Sequence, residues 1–171
     1  MKLDSDDSKI FLDILEQNLD SANLAVIGLG NPDRADDGAG IVIASKLKEK
    51  YPQSVFLETD RSVEGIVLEL LERNSIKTFL FLDASDFGGK PGEIKLFSHE
   101  DAKRFIPAVS THKVPITFLI EIILKQGRKA FLLGIQPGSL EFMGKISPAV
   151  EKTVSILENL LIKFIKSSSA D

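Results

Sequence analysis

Two adjacent aspartates in a glycine-rich loop are the first residues of this chain that could do chemistry. Asp36 and Asp37 lie in GLGNPDRADDGAG, which follows the apolar run NLAVI. Carboxylates at this position would repel a pyrophosphate, so the loop does not suit phosphate binding. We expect Asp36 to cap the following helix and Asp37 to face a cleft and offer its oxygens to an ion. Gly38 and Gly40 are expected to leave room there for an approaching peptide.

A third carboxylate and a histidine occupy comparable positions further along the chain. Asp83 ends the apolar run KTFLFLD, and His112 lies in AVSTHKVPI, just before a helical pattern. Taken singly, Asp83 is also typical of a turn at a strand end and His112 of a loop. Together with Asp37 they form a set of two carboxylates and one imidazole, which suits Ni²⁺, Zn²⁺ or Mn²⁺. The carboxylates could equally do acid–base work without a metal, and both alternatives stay open.

Other residue types give less support for catalysis. His99 is expected at the surface near a helix start, without a role in the chemistry. The chain has no cysteine, which excludes disulfides and cysteine-based nucleophiles or metal sites. A serine nucleophile has no support, since no G-x-S-x-G sequence is present. The dinucleotide pattern G-x-G-x-x-G fails at Asp33, and no G-K-[ST] sequence indicates a P-loop.

The elements that must position these residues alternate between strands and helices. Short apolar runs predict strands, and the i, i+3, i+4 spacing predicts the helices between them. The strand stretches are NLAVIGLG, SVFLET, KTFLFLDAS, GEIKLF and KAFLLGI. This order predicts a three-layer α/β sandwich with a twisted, mostly parallel five-stranded sheet, in which GEIKLF is an antiparallel edge strand. Because ligands bind at the carboxyl ends of parallel strands, Asp37, Asp83 and His112 are expected to converge there.

Composition narrows the class of protein and its location. The chain has 171 residues, 43% of them hydrophobic, and a formal net charge of -4, which gives no support for nucleic-acid binding. No apolar run is long enough to span a bilayer, and the acidic N-terminus is unlike a signal peptide, so a cytoplasmic location is expected. We predict an N-terminal extension over residues 1–22 with a short helix at 10–19, one α/β domain over 23–166, and a flexible tail at 167–171.

Four stretches together resemble the hydrogenase maturation endopeptidases: GLGNPDRADDGAG, FLDASDFGGKPGEIKLF, STHKVPITFLIEIIL and FLLGIQPGSLEF. The resemblance runs from about Asn23 to Phe164 and is closest to the branch that serves formate-hydrogenlyase-type and related energy-converting nickel–iron hydrogenases. It implies a twisted, mostly parallel sheet between helices. It also implies an endopeptidase that removes a C-terminal extension from the precursor of a hydrogenase large subunit after nickel insertion.

The resemblance also implies roles for particular residues. The family's metal ligands fall on Asp37, Asp83 and His112, and the two aspartates are the catalytic candidates, with no general base assigned. The first carboxylate is often Glu in the family. Nickel would be supplied by the precursor, and zinc or cadmium could replace it in vitro. Where many members have a Gly-Gly-Thr turn, this chain has Asp60 and Arg61, which bears on the choice of precursor.

Two other functions remain open at this point. A non-catalytic metal-sensing chaperone would dock on the same precursor without cutting it. A flavodoxin-like nucleotide-binding domain would share the predicted fold, but the failed third glycine of the first loop argues against it.

Overall fold

A five-stranded sheet forms the centre of the part of the chain that this computed structural model describes, residues 1–3, 5–101 and 115–167. Its strand order is β2-β1-β3-β5-β4, and every neighbouring pair is parallel except β4 with β5. The strands are β1 Leu24–Gly28, β2 Val55–Leu57, β3 Thr78–Ala84, β4 Ile94–Phe97 and β5 Lys129–Ile135. The prediction of a mostly parallel sheet with one antiparallel edge strand is confirmed.

Helices connect the strands and close the described chain. They are α1 Ser5–Asn18, α2 Ala39–Lys50, α3 Val63–Glu72, α4 Ile116–Lys125 and α5 Pro148–Ser167. A 3-10 turn at Ala35–Gly38 precedes α2, which therefore begins later than the sequence pattern indicates. Among the helices of the described ranges, none combines the length and apolar character needed to cross a membrane.

The sheet has one apolar core on each face, because side chains alternate along a strand. Val26 of β1 and Leu80 of β3 pack with α1, α2 and α5. Ile27 and Phe81 point to the other face and pack with α3 and α4. These two cores confirm the predicted three-layer sandwich.

The N-terminal residues pack against the rest of the chain. The predicted short helix is longer at its start, running from Ser5 instead of residue 10, and its Phe11 and Leu15 are buried in the first core. The amino group of Met1 donates to Ile94 O (2.9 Å), and Ile94 N–H donates to Met1 O (2.8 Å). The proposed boundary at residue 22 stays a prediction, as does the tail, most of which lies outside the described residues.

The start of α2 packs directly on the carboxyl ends of two strands. A Cβ atom on Gly40 would lie 2.2 Å from Leu82 O and 2.6 Å from Leu29 O, so only glycine fits this approach. The expectation that Gly40 leaves room for a peptide is therefore wrong, because the sheet fills the space. The glycine serves helix–sheet packing, which fixes the position of the loop before α2.

Candidate functional site

A cavity of about 530 Å³ opens beyond the carboxyl ends of β1 and β2. The loop that follows β1 supplies most of its wall, and the loop that follows β2 supplies the remainder. The lining residues are Gly30, Asn31, Pro32, Arg34, Asp37, Glu58 and Thr59. This is the edge at which a parallel α/β sheet is expected to bind its ligand.

Asp37 lines this cavity and is held by the loop in front of it. Its side chain accepts a hydrogen bond at Oδ2 from Asn31 N–H (3.1 Å), and the residue is only 7% exposed. The chain can fold back this tightly because Gly30 has a φ of +116°, and a Cβ atom there would lie 1.8 Å from Asp37 O. The structure thus places Asp37 at a cleft, and its role as a metal ligand stays a prediction.

Asp83 approaches the same loop from the neighbouring strand. It lies near the end of β3, where its partner in the register is Gly134 of β5. A Cβ atom on Gly30 would come within 3.8 Å of Asp83 Oδ1, so this half-buried carboxyl group lies beside a residue of the cavity wall. Asp37 and Asp83 are therefore neighbours of the same glycine, although 46 positions in the chain separate them.

The third member of the predicted metal set, His112, lies outside the described residues. Within residues 1–3, 5–101 and 115–167, no three His, Cys, Asp or Glu residues are grouped so that they could hold a metal ion. The described residues thus provide two of the three predicted ligands, Asp37 and Asp83. Carboxylate oxygens can coordinate a divalent ion when other groups supply its remaining ligands.

Glu58 is a cavity residue that the sequence reasoning did not identify. It follows the last residue of β2, and its Oε2 accepts a hydrogen bond from Gly30 N–H (3.0 Å). Its own N–H donates to Gly28 O (3.0 Å), which continues the pairing of β2 with β1. The rule used for Asp83, that acids at strand ends are site candidates, would have identified Glu58 in the run SVFLET.

Arg34 gives the cavity wall a positive charge beside its two carboxylates. Its Nη2 lies 3.5 Å from Leu140 O, so the guanidinium reaches towards the loop after β5. A guanidinium can hydrogen-bond a carbonyl or a carboxylate of a bound peptide. Asp37 and Glu58 can orient a water molecule and take its proton. The cavity thus contains groups for binding a peptide and for activating water.

Asp36 does not cap α2, so that prediction is wrong. The N-cap of α2 is Gly38, which makes no side-chain capping bond, and Asp36 is fully buried. Its Oδ2 accepts from Gly138 N–H (2.7 Å), Ser139 N–H (2.9 Å) and Ser147 Oγ (2.8 Å), and its Oδ1 accepts from Ser147 N–H (2.6 Å). Asp36 therefore fastens the loop between β5 and α5 to the loop that lines the cavity.

Gln136 organises the loop that follows Asp83. This buried side chain accepts at Oε1 from Phe87 N–H and Gly89 N–H (both 3.0 Å) and donates from Nε2 to Asp86 Oδ1 (3.0 Å). The hydrogen bonds from Gln136 and from Gly88 N–H lower the pKa of Asp86 from its ordinary value. Asp86 is exposed, and its contacts show a structural role in this loop.

Asp60 and Arg61, the departure noted in the sequence, form ion pairs outside the cavity. Asp60 pairs with Lys48 of α2 (2.6 Å), and Arg61 pairs with Glu69 of α3, which also binds Arg73. The hydrogen bonds from Arg61 and Arg73 lower the pKa of Glu69. Exposed pairs of this kind contribute little to stability. The neighbouring Thr59, however, lines the cavity.

His99 lies at a helix start, as expected, but it is half-buried and not on the open surface. Residues 99–101 are helical, and Ser98 caps them, since Asp101 N–H donates to Ser98 Oγ (3.3 Å). Ser98 Oγ in turn donates to Asp101 Oδ2 (2.9 Å). His99 does not belong to the cavity lining described above.

Comparisons with known proteins identify the family of this chain and agree with its fold. The family model HycI, hydrogenase maturation protease, matches residues 63–164. The hydrogenase expression/formation protein HupM of Azotobacter chroococcum mcd 1 is 30% identical over 131 residues, which cover 72% of this chain and 62% of that protein. The hydrogenase 3 maturation protease of Escherichia coli K12 is 28% identical, covering 74% and 80%. This chain thus spans less than two thirds of the length of the HupM protein.

A solved structure extends the likeness to nearly the whole chain. The nickel–iron hydrogenase maturation protease HycI from Thermococcus kodakarensis KOD1 superposes with a TM-score of 0.75 at 27% identity, covering 92% of this chain and 99% of that one. The family model alone matches more than half of the residues. This chain belongs to the hydrogenase maturation protease family. The resemblance that the four sequence stretches indicated is confirmed.

Proposed function

We propose that this chain is an endopeptidase that removes a C-terminal extension from the precursor of a nickel–iron hydrogenase large subunit after nickel has been inserted. The observation that carries the proposal is the cavity at the carboxyl edge of the sheet, in a chain of the hydrogenase maturation protease family. Asp37 and Glu58 line this cavity, and Asp83 adjoins it. A peptide bond that enters the cavity would meet these carboxylates.

Nickel would belong to the substrate and not to the resting protease. The precursor would bring the ion into the cavity, where Asp37, Asp83 and His112 would contact it and so distinguish a loaded precursor from an empty one. A divalent ion in that position polarises a carbonyl oxygen or lowers the pKa of a bound water. Zinc or cadmium would take the same place in vitro, because carboxylate and imidazole donors also accept these ions.

The residues of the chain itself would bind the peptide and activate water. Arg34 would donate hydrogen bonds to a carbonyl oxygen of the peptide. One of the carboxylates at the cavity, on Asp37, Asp83 or Glu58, would take a proton from the water that adds to the scissile carbonyl. The C–N bond then breaks, and the proton passes to the leaving amine. The general base would thus be one of these three residues.

The proposed activity is tested with the precursor of a nickel–iron hydrogenase large subunit that still carries its C-terminal extension. The purified chain is incubated with nickel-loaded and with nickel-free precursor, and the intact mass of the precursor is followed. We expect the mass of the C-terminal extension to be lost from the loaded precursor only. Tight binding without a mass change would contradict the proposal and support a metal-sensing chaperone. Cleavage of both forms would contradict the role of nickel.

A further inference from the structure

Three large apolar side chains stand exposed on one short loop beside the cavity. Leu140, Phe142 and Met143 are 45%, 71% and 73% exposed, within four consecutive positions between β5 and α5. Only three other large apolar residues of the described ranges are exposed, and they lie apart from this loop in the sequence: Ile10, Leu68 and Phe118. Neighbouring exposed apolar residues of this kind mark surfaces that bind a partner.

Hydrogen bonds hold the backbone of this loop in place, although its three apolar side chains are exposed. Asp36 binds both of its ends through Gly138, Ser139 and Ser147. In its middle, Met143 N–H donates to Asp33 O (2.6 Å). Met143 also has a φ of +58°, a conformation that non-glycine residues rarely adopt. The hydrogen bonds of the buried Asp36 carboxylate and of Met143 N–H thus keep an exposed apolar segment fixed, even with Met143 in an unfavourable conformation. A fixed segment lowers the entropy cost of binding a partner there.

The apolar loop is continuous with the cavity. Residues 31–37 supply wall residues of the cavity, and the same segment holds the loop through Asp33 and Asp36. Arg34 belongs to the cavity wall and its Nη2 lies 3.5 Å from Leu140 O. A polypeptide that leaves the cavity beside Arg34 would therefore come close to the loop that carries Leu140, Phe142 and Met143. Aromatic residues and methionine are enriched at the centres of protein interfaces.

We propose that Leu140, Phe142 and Met143 form a docking platform for an apolar segment of the hydrogenase large-subunit precursor, next to the part that enters the cavity. This inference rests on the proposed function, since it takes the same precursor as its partner. The platform would supply binding energy away from the scissile bond. It would thereby hold the precursor while the carboxylates of the cavity act.

The platform is tested with Phe142→Ser and Leu140→Ser, and Leu68→Ser on α3 is the matched control at 57% exposure. The Kd of each protein for nickel-loaded precursor is measured by calorimetry, and the maximal cleavage rate is measured at saturating precursor. We expect the Kd to rise about 10-fold for Phe142→Ser, with Leu68→Ser unchanged. The maximal rate should change less than twofold, because these side chains do not reach the reacting atoms.

The two readouts separate this inference from the proposed function. A wild-type protein that binds the precursor without cutting it would refute the endopeptidase activity, while the Kd values would still decide the platform. Equal Kd values for the wild type, Phe142→Ser and Leu140→Ser would overturn the platform. Failure of the wild type to bind nickel-loaded precursor would overturn it as well.

Discussion

Asp36→Ala is expected to lower the free energy of unfolding by about 3–5 kcal/mol, which is at the upper end for a point mutation. The carboxylate is fully buried and accepts four hydrogen bonds, from Gly138, Ser139 and twice from Ser147. Alanine leaves the three N–H groups among these donors without their acceptor. It also releases the loop that connects β5 to α5. Urea unfolding followed by circular dichroism measures the change.

Two further variants show whether the hydrogen bonds cause this loss. Asp33→Ala removes an exposed aspartate from the same loop and should change the stability by less than about 0.5 kcal/mol. The loss in free energy of unfolding for Asp36→Asn should lie between the losses for Asp33→Ala and Asp36→Ala. Its amide oxygen can still accept hydrogen bonds, whereas its NH₂ group would face a donor. A loss of only about 1 kcal/mol for Asp36→Ala would match an ordinary helix cap and contradict the role of the buried hydrogen bonds.

Asp37→Asn is expected to lower the rate of precursor cleavage by about 100-fold or more, which exceeds the usual effect of residues that only support a metal ligand. The substitution keeps an oxygen that can accept from Asn31 N–H, so the loop keeps its shape. It removes the negative charge that would contact the ion of the substrate or activate water. The free energy of unfolding should change by less than about 1 kcal/mol. Cleavage rates paired with thermal melts measure both effects.

The matched control for Asp37→Asn is Asp33→Asn, the same substitution on an exposed aspartate of the same loop. It should cleave at the wild-type rate. Asp37→Glu should keep partial activity, since the resemblance implies that relatives use the longer acid. An Asp37→Asn protein that cleaves as fast as Asp33→Asn would remove Asp37 from the reaction.

The sheet could be predicted from the sequence because its signals are local. The run KTFLFLD is apolar almost throughout, as a strand covered on both faces must be, and it became β3. The alternating run GEIKLF became the antiparallel edge strand β4. Because the run KTFLFLD ends at Asp83, it also placed this residue near the carboxyl end of its strand. The same reasoning applies to Glu58 and was not extended to it.

The role of Asp36 could not be predicted, because its partners are distant in the chain. Gly138 and Ser147 are 102 and 111 positions away, and no local pattern links them to the first glycine loop. Two neighbouring aspartates of equal chemistry thus take different roles, since the 3-10 turn directs one into the protein and the other to the cavity. The fixed position of the apolar loop depends on the same distant hydrogen bonds.

The hypothesis that Asp37, Asp83 and His112 sense the nickel of the precursor is tested most directly by comparing the two histidines of the chain. Rates of extension loss from nickel-loaded precursor are measured by mass spectrometry for His112→Ala and His99→Ala. We expect His112→Ala to lose about 100-fold or more of the rate, because imidazole is the nitrogen donor of the proposed set. His99→Ala should cleave at close to the wild-type rate. Wild-type cleavage by His112→Ala would contradict the hypothesis, most plainly if His99→Ala were inactive.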